Sequence, residues 1–276
     1  MAYVTVGPNR LFVDDSGSGD AIVLLSGLGG DHRAFAVTSR ALAARSRVIA
    51  IDARDSGQST RSEVRYTTAD LADDVAACLT SLGVRSATVL GHSLGGLIAQ
   101  EFALRHSDRL DALILVSSHA STSPWKRGVV DSWAILKRRV NAAEFARGTL
   151  PWLVGPSFFN NPGQVEGMVR FAEKNPYPQE ADAFDRQAAA AVAHDSRPRL
   201  GSIGVPTLVI SGMADLVNPP AVAADLAASI QGARLILLDG VGHLPHIEDG
   251  PAFREAVEAF LDEHAGSRVA AEPSPA

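Results

Sequence analysis

The stretch Ala87–Gln100, ATVLGHSLGGLIAQ, decides the fold. It runs from an apolar, β-branched segment through Gly91-His92-Ser93-Leu94-Gly95 into a second apolar segment. The first segment suits a strand and the second a helix, so Ser93 stands at the reversal between them. A sharp strand-to-helix turn strains its middle residue and lifts that side chain above the sheet. Residues two positions away must then lack a Cβ, or they collide with the adjoining strand and helix. Gly91 and Gly95 meet that demand. The amides that open the following helix point at the same spot. Ser93 is therefore a candidate nucleophile, with a plain turn as the alternative reading.

The runs AIVLLSG (21–27), VIAID (48–52), LILVSS (113–118), TLVISG (207–212) and RLILLDG (234–240) resemble the one before Ser93. Runs apolar at every position belong to strands covered on both faces, as in parallel sheets. YVTV and RLFVDD flank Gly7-Pro8-Asn9 and predict a hairpin. Helices are expected over 68–82, with Thr67 and Asp70 as a start box and Gly83 as the stop, and over 221–230 and 252–264. Strands alternating with helices imply βαβ units. Between about residues 120 and 200 the alternation breaks. That segment carries all three tryptophans of the chain, Trp125, Trp133 and Trp152, and is expected to be a helical insertion over one sheet edge.

A neutral serine hydroxyl needs a base. His243 follows the last apolar run, where the chain leaves the C-terminal edge of the sheet and open α/β sheets keep their sites. His246 is the reserve, read as a packing residue. His92 is expected to point away from the cleft, His106 to end a helix, and His194 and His264 to lie exposed on helices. The base in turn needs a carboxylate to fix its tautomer. Asp215 follows TLVISG in GMADLVNPP; Asp239 is the competitor, read as structural. SGLGGDH (26–32) follows an early strand, and its glycines let backbone amides approach a substrate closely. The amides of Leu28 and Leu94 are the expected oxyanion donors.

At this point the chain resembles the α/β-hydrolase superfamily over nearly its whole length, through SGLGGDH, IDARDSGQS (51–59), GHSLGG (91–96), GMADLVNPP (212–220) and GVGHLPHIEDGP (240–251). The resemblance is nearest to cap-bearing esterases, enol-lactonases and related small-molecule hydrolases. It implies a mostly parallel, twisted sheet flanked by helices. Residues 1–119 and 201–265 are expected to form the core, 120–200 a helical cap and 266–276 a disordered tail. Two departures stand out. The family usually has His-Gly where this chain has Ser26-Gly27. Its usual Asp-x-Arg-Gly is here Asp52-Ala53-Arg54-Asp55, with Asp55 expected to be solvated or paired with Arg54 or Arg61. An acidic residue there resembles some methylesterases of large aromatic natural products.

The expected activity is cofactor-free hydrolysis of a hydrophobic or aromatic small-molecule ester or lactone, with Trp125, Trp133 and Trp152 either lining the pocket or filling the cap's own core. The same triad could serve a carbon–carbon bond hydrolase, a lyase, or a receptor that binds without turnover. A dinucleotide fingerprint fails because His32 stands where the third glycine belongs. His243, His246 and Glu248 lack a zinc spacing, so no metal is expected. A formal charge of −6 without a basic cluster argues against nucleic acid. No run is long enough to span a bilayer and no secretory signal opens the chain, so a cytoplasmic protein is expected. The single cysteine, Cys78, fits a reducing compartment. The sequence leaves a homodimer open.

Overall fold

The computed structural model describes residues 2–264. Its strands are β1 (Ala2–Val6), β2 (Asn9–Ser16), β3 (Ala21–Leu25), β4 (Arg47–Ile51), β5 (Ala87–His92), β6 (Leu110–Val116), β7 (Thr207–Gly212) and β8 (Arg234–Leu238). They form one sheet in the order β1-β2-β4-β3-β5-β6-β7-β8. The pairs β1–β2 and β2–β4 are antiparallel and all others are parallel. The helices are α1 (Ala36–Leu42), α2 (Thr68–Ser81), α3 (Leu94–Arg105), α4 (Pro124–Lys137), α5 (Ala142–Leu153), α6 (Pro162–Glu173), α7 (Ala181–Ala193), α8 (Pro220–Ala228), α9 (Pro245–Glu248) and α10 (Gly250–His264).

The central strands β3, β5 and β7 are buried at every position, as their unbroken apolar runs require. One face packs against α2, α3 and α8 through Leu71, Leu97, Phe102 and Leu226. The other packs against α1 and α10 through Leu42, Phe253, Val257 and Phe260. β8 departs from expectation: no position in it is fully buried. It is the edge strand, with one neighbour, and sends Leu235 to one core face and Ile236 and Leu238 to the other. Helix α2 starts where its sequence says it should. Thr67 and Asp70 form a reciprocal capping box, and Gly83 ends the helix at φ +67°.

Helices α4–α7 sit between β6 and β7 as the helical insertion. Ser121 bridges to Asp195 and the Ser196 amide donates to the Ala120 carbonyl, so the chain enters and leaves the insertion at neighbouring points. Its apolar contacts fall in two groups. One joins Val129, Val130, Trp133, Phe184 and Ala188 to Val217. The other joins Leu150, Val154, Phe158 and Val169 to Leu244. Val217 lies two residues from Asp215 and Leu244 next to His243, so the insertion packs directly on both loops. Among the described residues no helix is long and apolar enough to cross a membrane. The tail expected over 266–276 lies outside the described residues.

Candidate active site

Ser93 caps the N-terminus of α3 at φ +52° and ψ −113°, a strained conformation for a residue with a side chain. The steric reason for its neighbours is plain in the distances. A Cβ on Gly91 would lie 2.1 Å from the Gly95 carbonyl oxygen, and one on Gly95 would lie 2.1 Å from that of Leu25. The turn is pinned by the Ser93 amide on the Val116 carbonyl (2.9 Å) and by the Ser118 hydroxyl on the Ser93 carbonyl (3.1 Å).

His243 reaches the same edge of the sheet. Its Nδ1 lies 2.8 Å from Asp215 Oδ2, both groups being buried. That bond leaves Nε2 as the ring's acceptor atom when Nδ1 carries the proton. Oδ1 of Asp215 accepts the amides of Val217 and Asn218, each at 2.8 Å, so both carboxylate oxygens are committed. The carboxylate bonded to His243 is thus that of Asp215, while Asp239 is exposed in a turn. His92, the neighbour of Ser93, donates Nε2–H to the His243 carbonyl at 2.9 Å, with ring centroids 5.0 Å apart. This contact ties the serine turn to the histidine loop. Burial, reinforced by the neighbouring imidazoles His246 and His243, holds His92 well below the ordinary histidine range. Burial pushes His246 down to about 3 and it packs against Phe35 and Phe253, as a structural residue should.

Glu248, weighed in the sequence only as a metal candidate, instead holds backbone amides around His243. Its carboxylate accepts the amides of Gly242 and Leu244 on either side of His243, at 3.0 and 3.1 Å, and that of Gly155 in the insertion at 2.6 Å. The His243 amide donates to the Leu153 carbonyl at 2.9 Å. A carboxylate five residues beyond the histidine, in a short helix, was the available signal.

The glycine loop after β3 completes the site. A Cβ on Gly27 would lie 2.8 Å from His92 Nδ1 and 3.2 Å from Ser93 Cβ, so the loop passes in contact with the serine turn. Leu28 follows Gly27 and packs in both the main core and the insertion cluster, and Leu94 is the buried first residue of α3. The loop is braced from β4: Asp52 Oδ1 accepts the His32 amide (2.7 Å) and faces His32 Nδ1 (2.9 Å), while Oδ2 accepts the Gln58 amide (2.9 Å). Asp31, His32 and Asp52 lie close together, with Asp31 paired to Arg33 and both Asp52 oxygens taken by His32 and Gln58.

Residues 20–250 match the family model described as alpha/beta hydrolase fold. The chain belongs to that family. It is 28% identical to a thermophilic esterase from Thermogutta terrifontis, covering 96% of this chain and 99% of that one, with a TM-score of 0.85. It is 31% identical to the enol-lactonase from Burkholderia xenovorans, covering 95% and 100%, with a TM-score of 0.84. A protein of Azorhizobium caulinodans named provisionally as the carbamate hydrolase RutD is 28% identical over 95% of this chain and 99% of its own length.

Within this family member, the departure at Asp55 has a structural partner other than the two expected. Asp55 is fully buried at φ +68°, and Arg186 of α7 binds both its oxygens at 2.8 and 2.9 Å. The Tyr66 hydroxyl and the Ser62 amide complete its shell. Arg54 instead pairs with Asp74, and Arg61 donates to the Gly57 and Ser59 carbonyls. Next to Arg186, Gln187 donates to the Arg54 carbonyl and the Ser56 hydroxyl (2.8 Å each) and accepts a long contact from the Gly29 amide (3.4 Å).

Two histidine expectations need correction. His194 is buried at the end of α7, its Nδ1 2.9 Å from the Thr68 hydroxyl, and burial lowers it to about 4. The insertion folds back on α2 there and covers it. His264 is partly covered by Phe260, with ring centroids 4.7 Å apart. His106 ends α3 and faces Asp73 at 2.8 Å. Of the tryptophans, Trp133 is buried in the insertion's core, Trp152 packs beside it, and Trp125 is 56% exposed with its ring 5.8 Å from that of Trp152.

Proposed function

We propose that this chain is a serine hydrolase acting on a small-molecule carboxylic ester or lactone. The observation that carries the reading is the buried Asp215–His243 pair, 2.8 Å apart, joined through His92 to the strained turn at Ser93. Ser93 attacks the carbonyl carbon, and Nε2 of His243 takes the hydroxyl proton. Asp215 keeps the imidazole in the Nδ1–H tautomer and stabilises the imidazolium. The amides of Leu28 and Leu94 receive the oxyanion; loss of one such donor costs about 3 kcal/mol of barrier. The imidazolium returns its proton to the leaving alkoxide. Water, activated by the same base, then releases the acyl group from Ser93. The insertion supplies the apolar pocket, with Trp125 at its exposed rim and Trp133 and Trp152 packing its own core behind it.

The test is an activated-ester or fluorophosphonate probe with the intact chain. One adduct on Ser93, lost in Ser93→Ala, is the expected result; an unlabelled Ser93 would remove the nucleophile from the scheme. A panel of p-nitrophenyl esters of rising chain length, with lactones, β-diketones and carbamates, then sets the substrate class. Carbamate cleavage is the second reading, favoured by the provisionally named carbamate hydrolase among the relatives, and it uses the same attack on a carbonyl.

A further inference from the structure

Near Asp215 lies a buried lysine that the proposed chemistry leaves unused. Lys126 stands in the first turn of α4, and its side chain is buried. Its Nζ has two hydrogen-bond partners, Asn218 Oδ1 at 2.8 Å and His119 Nδ1 at 3.1 Å. The surroundings fix both partners as acceptors. Asn218 spends its amide nitrogen on the Ser117 carbonyl at 2.6 Å, which turns Oδ1 toward the lysine. The Thr122 hydroxyl donates to the Ala191 carbonyl, so toward His119 it can only accept. His119 therefore carries its proton on Nε2 and offers Nδ1 as a lone pair.

Two acceptors match the two N–H groups of a neutral amine. An ammonium has three donors, and among the described residues no carboxylate pairs with this one. Asn218 links the cluster to the site, because its own backbone amide donates to Asp215 Oδ1 at 2.8 Å.

We propose that Lys126 is a positioning residue for Asp215 and works as an uncharged amine, holding the acid loop to the helical insertion through Asn218. The inference rests on the reading of Asp215 as the acid of the site. The groups that bear on its charge come from several elements. Asp215 favours the ammonium, while His119 and His92 are neutral imidazoles that feel it as a cation. Arg197 and Asp225 stand with Lys126, His119 and Asn218 around a groove of about 310 Å³, which gives a proton a route from solvent. Burial outweighs Asp215 and brings the amine down to about 7. Below that, a cation with a surplus donor stands near the Asp–His pair and loosens the tether.

The chain offers a direct test, because Lys126, Lys137 and Lys174 are its only lysines. In the variant Lys137→Arg/Lys174→Arg, a ¹³Cε-lysine NMR titration of the folded protein reports Lys126 alone and needs no turnover. A midpoint near 7 is expected; one above 9 overturns the uncharged amine. The positioning role is read from pH profiles. In Lys126→Met, kcat should fall by ~10- to 100-fold, the range for a slightly misplaced reacting group, with KM nearly unchanged. The acid limb of kcat/KM should drop from two coupled protonations to one. Asn218→Ser, which keeps the lysine, should lower kcat similarly while retaining both. An unaltered kcat in folded Lys126→Met, or an acid limb of unchanged shape, refutes the positioning role. A protein without any turnover but with a low lysine midpoint would instead put the proposed function in error and leave the amine intact.

Discussion

The ion pair between Asp55 and Arg186 supports a quantitative prediction about how the insertion is seated. Asp55 has no solvent access, while the Arg186 side chain keeps one-fifth of its own. Breaking a buried pair by removing one partner costs about 3–5 kcal/mol, and the residual hydration of Arg186 places this one near the lower end. Asp55→Ala also strips the Tyr66 hydroxyl and Ser62 amide of their acceptor, so about 3–4 kcal/mol of stability should be lost. Asp55→Gly removes the same pair but relieves the left-handed strain, and should recover about 1 kcal/mol. Arg186→Met should cost about 3 kcal/mol alone and under 1 kcal/mol in the Asp55→Gly background, a coupling energy of about 2 kcal/mol. Urea unfolding measures all of these. All three tryptophans lie in the insertion, so their fluorescence reports its detachment while far-ultraviolet circular dichroism reports the whole fold. The two transitions should separate in Asp55→Ala and coincide in the parent chain. If Asp55→Gly is as stable as the parent, or the coupling vanishes within ~0.5 kcal/mol, the pair does not seat the insertion.

Other outcomes follow from the site and the core. Ser93→Ala should leave the fold intact and reduce kcat by ~10³-fold or more, checked by ester turnover alongside circular dichroism. Asp215→Asn should cost ~10⁴-fold through the wrong imidazole tautomer, and an equal loss in Asp239→Asn with Asp215→Asn active would reassign the acid. His194 and His246 are held at about 4 and about 3 by burial, both below the ordinary 6.5. The unfolded chain takes up protons that the fold refuses, so stability should fall as pH drops from about 6.5 toward 4, by roughly 1.4 kcal/mol per pH unit for each histidine. Denaturation at pH 7, 5.5 and 4.5 should show this fall, with a shallower slope in His194→Gln. Gly95→Ala should fail to yield folded protein, because its Cβ would stand 2.1 Å from a backbone oxygen of β3; a folded, active variant would contradict the steric account of the turn.

The parts of the site that were legible in the sequence are those whose physics is local. Gly91 answers a clash with Gly95 four residues on, and the capping box at Thr67 closes within three. Asp215 and His243 could be placed because both follow apolar runs at one edge of a parallel sheet. The misread residues, Asp55 and His194, and the overlooked ones depend on partners that no local pattern reveals. Asp55 meets Arg186 across 131 positions, Thr68 meets His194 across 126, Gly155 meets Glu248 across 93 and Lys126 meets Asn218 across 92. Each of these contacts joins the insertion to the core, and the insertion carries no strand run or glycine motif from which its docking could be read.

Those same contacts constrain how a substrate could enter. The glycine loop is touched by Gln187, the acid loop is held by Lys126 through Asn218, and the histidine loop is held by Leu153 and, through Glu248, by Gly155. Val217 and Leu244 add an apolar anchor on each side. An insertion that swung away as one body would break the Asp55–Arg186 pair, expose both apolar clusters and release the three loops that hold the proposed reacting groups. Opening of that kind would disassemble the site it was meant to expose. Under the proposed function, access then comes from local movement at the exposed rim, where Trp125 and Leu216 stand, while the body of the insertion stays against the loops of Asp215 and His243.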